Sequence, residues 1–362
     1  MDRPVFISSY NVLAPKINGP LEFETFLLKS KKEFSAIASP GNSGKIEFDE
    51  NIKYYPKRAE LKSMRNDVLA AVICLSGLLE KSGLSPSGYT NIPFFISSGC
   101  FLSEIAEIIA TMKEYYSSAP GTSDKPGNPL NIYEIIPPLT SLRTLTNAIE
   151  SFSSLSTGLA GDNTTFGSTS ASGFYAMKEG WQRIAGGKSE IAVAGGADIG
   201  EKYSGLMFKN FTDGTKDWKN SACSAFFVLE SETGLKERGG VPLAEIRELS
   251  QAFNVPTFFE PESSEPYSFF QAEGKLNDYC VFGGGLTQNN YLREKEVIDD
   301  AKIESSSLYP LLGSLGSASL LMSMAASLCL RNIKGLDKNI VLERDPYQRE
   351  FLVKLAYPDI VK

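Results

Sequence analysis

Residues 161–198 read GDNTTFGSTSASGFYAMKEGWQRIAGGKSEIAVAGGAD, and this stretch decides the fold. Asp162–Phe166 is Thr-rich and suits a strand. Gly167 to Gly173 is a run of small residues that suits a tight elbow. Phe174, Met177, Trp181 and Ile184 follow at spacings of three, four and three, which is one face of a helix. Gly186-Gly187 stops that helix, and Ile191–Ala197 then reads as a buried strand. Its Gly195-Gly196 marks a place where another backbone comes close. A residue at the elbow sits at a helix N-terminus, where the dipole favours an anion, a useful setting for a nucleophile. Gly187-Lys188-Ser189 is no phosphate loop: that motif needs a glycine where Gln182 stands, and it opens a helix, whereas this one follows a helix.

Outward from this segment, strands and helices alternate. Val5–Ile7, Ile92–Ile96, Phe226–Glu230, Leu243–Ile246, Tyr279–Phe282, Ile340–Leu342 and Phe351–Leu355 read as strands. Asn66–Ser82 has helical spacing and ends at Gly83, and a second helix is expected near Leu102–Tyr115. Leu315–Asn332 is apolar nearly all round, which predicts a helix buried in the middle of a large domain. Gly283-Gly284-Gly285 has no dinucleotide-binding spacing and reads as a turn. The class is α/β, helices packed on sheets.

Composition narrows the chemistry. The 362 residues are 42% hydrophobic and 22% charged, within the globular range, so a disordered or collagen-like chain is excluded. Lys and Arg total 36 against 43 Asp and Glu, a net charge of −7, which argues against a nucleic-acid or anionic-membrane binder. There is no histidine, so every Ser-His, Cys-His and His-metal mechanism is excluded within this chain. Five scattered cysteines without a C-x-x-C pair predict a reduced, cytoplasmic protein with no zinc site, no metal and no cofactor. The opening MDRPVFISSYNVLAP has no long apolar core, so no signal peptide is read there, and no stretch is long and apolar enough to predict a membrane span.

Residues 161–198 resemble, without gaps, the active-cysteine segment of the β-ketoacyl synthases, the thiolase-fold condensing enzymes. Arg3–Pro15 is similar to that family's opening strand, Ser97-Ser98-Gly99 to a Gly-rich strand end, and Lys236–Gly239 to its K-x-R-G turn. YPLLGSLGSAS at Tyr309–Ser319 resembles the Lys-Ser-x-x-Gly-His-x-x-x-Ala-Ala segment. The resemblance implies a layered α/β/α/β/α fold of two pseudo-repeated halves, set at residues 1–240 and 241–362.

The departures fall on the chemistry. By the resemblance, Ser170 stands where the family has its nucleophilic cysteine. The first histidine falls at Gly283 or Gly284, the lysine at Tyr309 and the second histidine at Ser314. The family's late Gly-rich G-F-G-G-T-N loop has no counterpart in Asn339–Leu355. A serine hydroxyl is a poor nucleophile without an adjacent base, and losing one oxyanion donor costs about 10²–10³ in rate. The resemblance therefore implies no condensing enzyme but a chain-length-factor-like partner of a catalytic ketosynthase in a type II polyketide system, and the compact length and missing late loop resemble the subunits of the aryl polyene kind. It also implies pairing through Asn163, Thr164, Thr165 and Phe166, tunnel-bordering positions near Phe101 and Leu142, and contact with an acyl carrier protein through the complex. Two alternatives stay open: an acyltransferase or thioesterase using Ser170, for which no Lys, Asp or Glu base lies near the elbow in sequence, and a homodimeric scaffold or acyl-chain binder.

Overall fold

A computed structural model describes residues 3–30, 45–48, 54, 56–99, 108–110, 112–113, 143–199, 221–253, 269, 278–283, 288–345 and 349–358. Cys100, Phe101, Leu142, Gly284 and most of the expected helix near 102–115 lie outside these residues.

Strands are numbered in chain order. They are β1 (Val5–Ala14), β2 (Ile17–Asn18), β3 (Phe94–Ser98), β4 (Asn163–Gly167), β5 (Ile191–Asp198), β6 (Cys223–Ser231), β7 (Ala244–Phe253), β8 (Tyr279–Phe282), β9 (Ser305–Ser307), β10 (Lys338–Arg344) and β11 (Arg349–Ala356). They form one hydrogen-bonded path, β4-β3-β5-β6-β1-β7-β11-β10-β8-β9, with β2 attached to β1. The path reads the same from both ends. β4 and β5 flank β3 in parallel, as β9 and β10 flank β8; β6 is antiparallel to β5 and β1, as β11 is to β10 and β7. The halves meet at a seam of two antiparallel pairs, Phe6 with Glu245 and Ile7 with Ala244.

Alternation along the strands sorts side chains between layers. Ala192, Ala194, Ala225, Phe227 and Leu229 face a central core with Val281, Val341, Phe351 and Val353. Two helices fill that core, Ala171–Ala185 and Ser319–Lys334. The alternate residues Val193, Phe226 and Val228 face outward onto helix Asn66–Ser82 and the start of helix Ala148–Thr157. In the other half Cys280, Phe282, Ile340 and Leu342 face outward onto Tyr291 and Ile298 of helix Gln288–Asp300. The result is helix, sheet, helix, sheet, helix, the expected architecture.

Local expectations hold at the strongest patterns. Phe174, Met177 and Ile184 are fully buried and Trp181 packs beside them. Gly196 is forced: a Cβ there would lie 2.4 Å from the Ser97 carbonyl oxygen. Gly83 ends helix Asn66–Ser82 in the left-handed region, φ 71°. Two boundaries differ. The buried α-helix begins at Ser319, after a 3₁₀ turn at Gly316–Ala318, because Gly316 has φ 52° and cannot continue an α-helix. β7 runs on to Phe253, well past Ile246, because β11 pairs with it along its length although its face is half exposed and polar.

Candidate functional site

The elbow forms where the segment above predicts it. β4 ends at Gly167, Ser168 and Thr169 turn the chain, and Ser170 stands at the N-cap of helix Ala171–Ala185. Ser170 is 2% exposed. Its hydroxyl does not cap the helix and has no hydrogen-bond partner of ordinary length among the described residues.

The elbow is held by the β10–β11 hairpin. Thr169 Oγ1 donates to Asp345 Oδ2 at 3.0 Å, and Asp345 also accepts from Arg349 N at 2.9 Å and Nε at 2.7 Å. Behind this clamp a buried ion pair joins Arg344 to Glu350 at 2.7 Å. Arg344, Asp345, Arg349 and Glu350 thus pair at the ends of the two strands, in the region where the family's Gly-rich loop has no counterpart.

Below Ser170 lies Glu343, fully buried near the end of β10. Its Oε2 accepts from Ser319 Oγ at 2.8 Å. Burial pushes its carboxyl well above the ordinary carboxylate range and the nearby Glu294 adds to the rise; the Ser319 and Ser170 hydroxyls pull it back in part. Its carboxyl stands over Gly283, the residue that follows β8. A Cβ on Gly283 would lie 2.5 Å from Glu343 Cδ and 2.7 Å from Ser319 Oγ. Gly283 follows directly on β8, and its side-chain space is taken by Glu343; the rest of the expected turn, Gly284-Gly285, lies outside the described residues.

The first half repeats this arrangement. Asp198 ends β5, and a Cβ on Gly99 would lie 2.5 Å from its Oδ2. The same oxygen accepts the Ser317 N–H at 2.9 Å.

The remaining expected positions are placed as follows. Tyr309 is buried in an aromatic stack, 5.2 Å from Tyr291, which lies 5.8 Å from Phe282. Ser314 is buried, and its carbonyl accepts the Ser221 N–H at 3.1 Å. Ser170 and Gly283 thus share one neighbour, Glu343, whereas Tyr309 is packed in the aromatic stack. On the sheet edge, Asn163 and Thr164 are exposed, Thr165 and Phe166 are half-buried, and the outer side of β4 has no strand partner among the described residues. The four described cysteines are buried. Burial pushes the thiols of Cys74 and Cys329 up to about 12 and those of Cys223 and Cys280 upward as well, so none is a ready nucleophile.

Sequence reasoning missed Glu343, Asp345 and Asp198. An acid inside the apolar run Ile340–Leu342 was the available signal for Glu343. Although no acid or lysine lies near the elbow in sequence, the hairpin brings two carboxyls to it in space. The chain has no histidine to serve as a base beside Ser170, and burial holds the nearby Glu343 carboxyl well above the ordinary range. Among the described residues no cluster of three or more Cys, Asp or Glu could hold a metal, and no helix is long and apolar enough to cross a membrane.

Solved structures share this fold. An acyl-carrier protein in complex with its type II polyketide ketosynthase, AntDE:AntF bound to the hexaketide, matches at 15% identity with a TM-score of 0.73, covering 99% of this chain and 100% of that one. The ishigamide ketosynthase/chain length factor matches at 15% identity and 0.75, with the same coverage. A β-ketoacyl synthase from Burkholderia phymatum STM815 matches at 16% and 0.72, again over 99% and 100%. No curated protein matches the chain. The sequence model of the β-ketoacyl synthase N-terminal domain fits residues 2–226, through the opening strand, the elbow and its helix and most of the first half-sheet. With well over half its length accounted for in this way, the chain belongs to the β-ketoacyl synthase family.

Proposed function

We propose that this chain is a non-catalytic, chain-length-factor-like subunit that pairs with a catalytic ketosynthase and shapes the acyl tunnel in type II polyketide biosynthesis, in the cytoplasm and in an aryl polyene system. One observation carries the reading: a ketosynthase scaffold without a single histidine, whose elbow residue is Ser170. A scaffold kept intact around such a centre is suited to contact and shape. The ketosynthase/chain length factor among its structural relatives supports the same direction.

On this reading β4 pairs across the subunit interface through Asn163–Phe166, and substitutions that change bulk at Phe101 and Leu142 alter product length. The partner subunit supplies the nucleophile and the histidines, and the acyl carrier protein docks on the complex. The chain divides at 240/241, just before the strand that opens the second half-sheet.

Co-expression with a histidine-containing ketosynthase from the same gene neighbourhood tests the reading. A stable 1:1 complex that extends malonyl units is expected, with Ser170 unmodified by mass spectrometry after incubation with an acyl-carrier-protein thioester. Recovery only as a homodimer would count against it. Acylated Ser170 would establish the acyltransferase or thioesterase reading.

A further inference from the structure

The end of the edge strand is held from the far half of the molecule. β4 pairs in parallel with β3 from Asn163 to Gly167, and its outer side has no strand partner among the described residues. Just before its start, Asp162 Oδ2 accepts from Arg183 Nη1 at 2.8 Å, and in its middle Thr165 Oγ1 donates to Glu150 Oε2 at 3.3 Å. Both of those partners sit on helices of the first half. Beyond its end the chain runs through Ser168 to the buried Thr169, whose hydroxyl donates at 3.0 Å to Asp345 Oδ2, 176 positions away in the second half. Asp345 is itself fixed, accepting from Arg349 N at 2.9 Å and Nε at 2.7 Å. Arg349 Nη2 also lies 3.4 Å from Thr169 Oγ1 and 3.5 Å from Ser168 Oγ.

We infer that Asp345 is a positioning residue for β4: through Thr169 it holds the end of the edge strand in the conformation in which the strand meets a partner subunit. This rests on the reading of β4 as the strand that pairs with the ketosynthase. An edge strand joins another chain at least cost when it is already ordered, because less freedom is lost on association. A hydrogen bond to a carboxylate holds that order more firmly than one between neutral groups. The clamp acts where the chain leaves the sheet for the buried elbow. The presentation of the strand is therefore a joint product of both halves. First-half helices fix its start and middle, and the β10–β11 hairpin of the second half fixes its end.

Amide hydrogen exchange on the full chain, read at peptide level by mass spectrometry, tests the clamp. Thr169→Val removes the hydroxyl and keeps the branched shape, leaving Asp345 paired with Arg349. Peptides spanning β4 should then exchange about tenfold faster, the worth of one hydrogen bond to a charged group, while those of β5 stay unchanged. Thr169→Ser keeps the hydroxyl and should exchange like wild type. Asp345→Ala should loosen β4 as Thr169→Val does, although it lies in the other half; should that variant fail to fold, the two Thr169 variants still decide. Equal exchange of β4 in wild type, Thr169→Val and Thr169→Ser would overturn the proposal. Affinity for the co-expressed ketosynthase is the second readout. Thr169→Val should weaken the 1:1 complex about tenfold while the melting temperature of the isolated chain stays within a few degrees, and Thr169→Ser should bind like wild type. A loosened β4 with unchanged affinity would overturn the positioning role. The exchange measurement uses no partner, so it can fail while the complex still forms. A wild-type chain that forms no complex overturns the earlier reading and the interface role with it, whatever the exchange shows.

Discussion

Asp198 and Glu343 are equivalents in the two halves of the sheet. Each lies at the end of a middle strand beside a glycine whose N–H bonds back to the preceding residue: Gly99 N to Ala197 O at 3.2 Å, Gly283 N to Leu342 O at 3.0 Å. Each carboxyl covers its glycine and reaches the entry of the same buried helix, Asp198 at Ser317 and Glu343 at Ser319. Two acids, one from each half, thus converge on one helix start.

The first of the pair bears on stability. Asp198→Ala removes the acceptor of the buried Ser317 N–H and should cost about 1–3 kcal/mol, with the larger share in the unpaired donor. Urea denaturation followed by far-UV circular dichroism measures this. A loss within experimental error would show that the bond contributes nothing.

The second gives a pH signature. A carboxyl whose native pKa is raised stabilises the fold below its unfolded value, near 4.5, and that contribution fades as pH rises toward the native value. Wild type should therefore lose stability relative to Glu343→Gln as pH climbs above about 5. Melting temperatures of the two proteins across neutral pH give the answer; parallel curves would contradict a raised Glu343 pKa.

Arg65 and Asp67 form a buried bidentate pair, Nε to Oδ1 and Nη2 to Oδ2 both at 2.9 Å, and Arg65 also bonds the Leu145 carbonyl at 3.0 Å. Arg65→Ala should cost about 3–5 kcal/mol because it strands the Asp67 carboxylate. Arg65→Met with Asp67→Leu should recover much of that. Chemical denaturation of the two variants separates the cost of an orphaned charge from the value of the pair.

The edge strand addresses assembly. Thr164 is exposed and Phe166 half-buried on the free side of the sheet. If β4 pairs across the subunit interface as proposed, Thr164→Glu with Phe166→Glu should abolish co-purification with the ketosynthase while leaving the melting temperature of the isolated chain within a few degrees. Light scattering after size exclusion reads the first effect and calorimetry the second.

Much of the architecture was readable before any coordinates. The three-four-three spacing from Phe174 to Ile184 gave a helix face that is buried as expected, and the apolar run at 319–330 is buried on every side. These patterns are local: a period of 3.6 is written in neighbouring residues. The centre is different. Nothing near Ser170 or Gly283 in sequence announces Glu343, which is 60 positions from one and farther from the other, and it becomes their neighbour only through parallel pairing of β8 and β10. Nothing in the letter at 283 tells that its side-chain space is filled by Glu343. The polar, half-exposed β7 lacked the contrast that marks a strand end, so its length came from pairing partners.

The seam between the half-sheets is only two residue pairs wide, Phe6 with Glu245 and Ile7 with Ala244. Backbone bonding across so short a joint cannot resist shear on its own. Cohesion between the halves falls to the two interior helices, which pack on strands of both. Loosening Ser319–Lys334 should therefore part the molecule along its midline before either half-sheet frays.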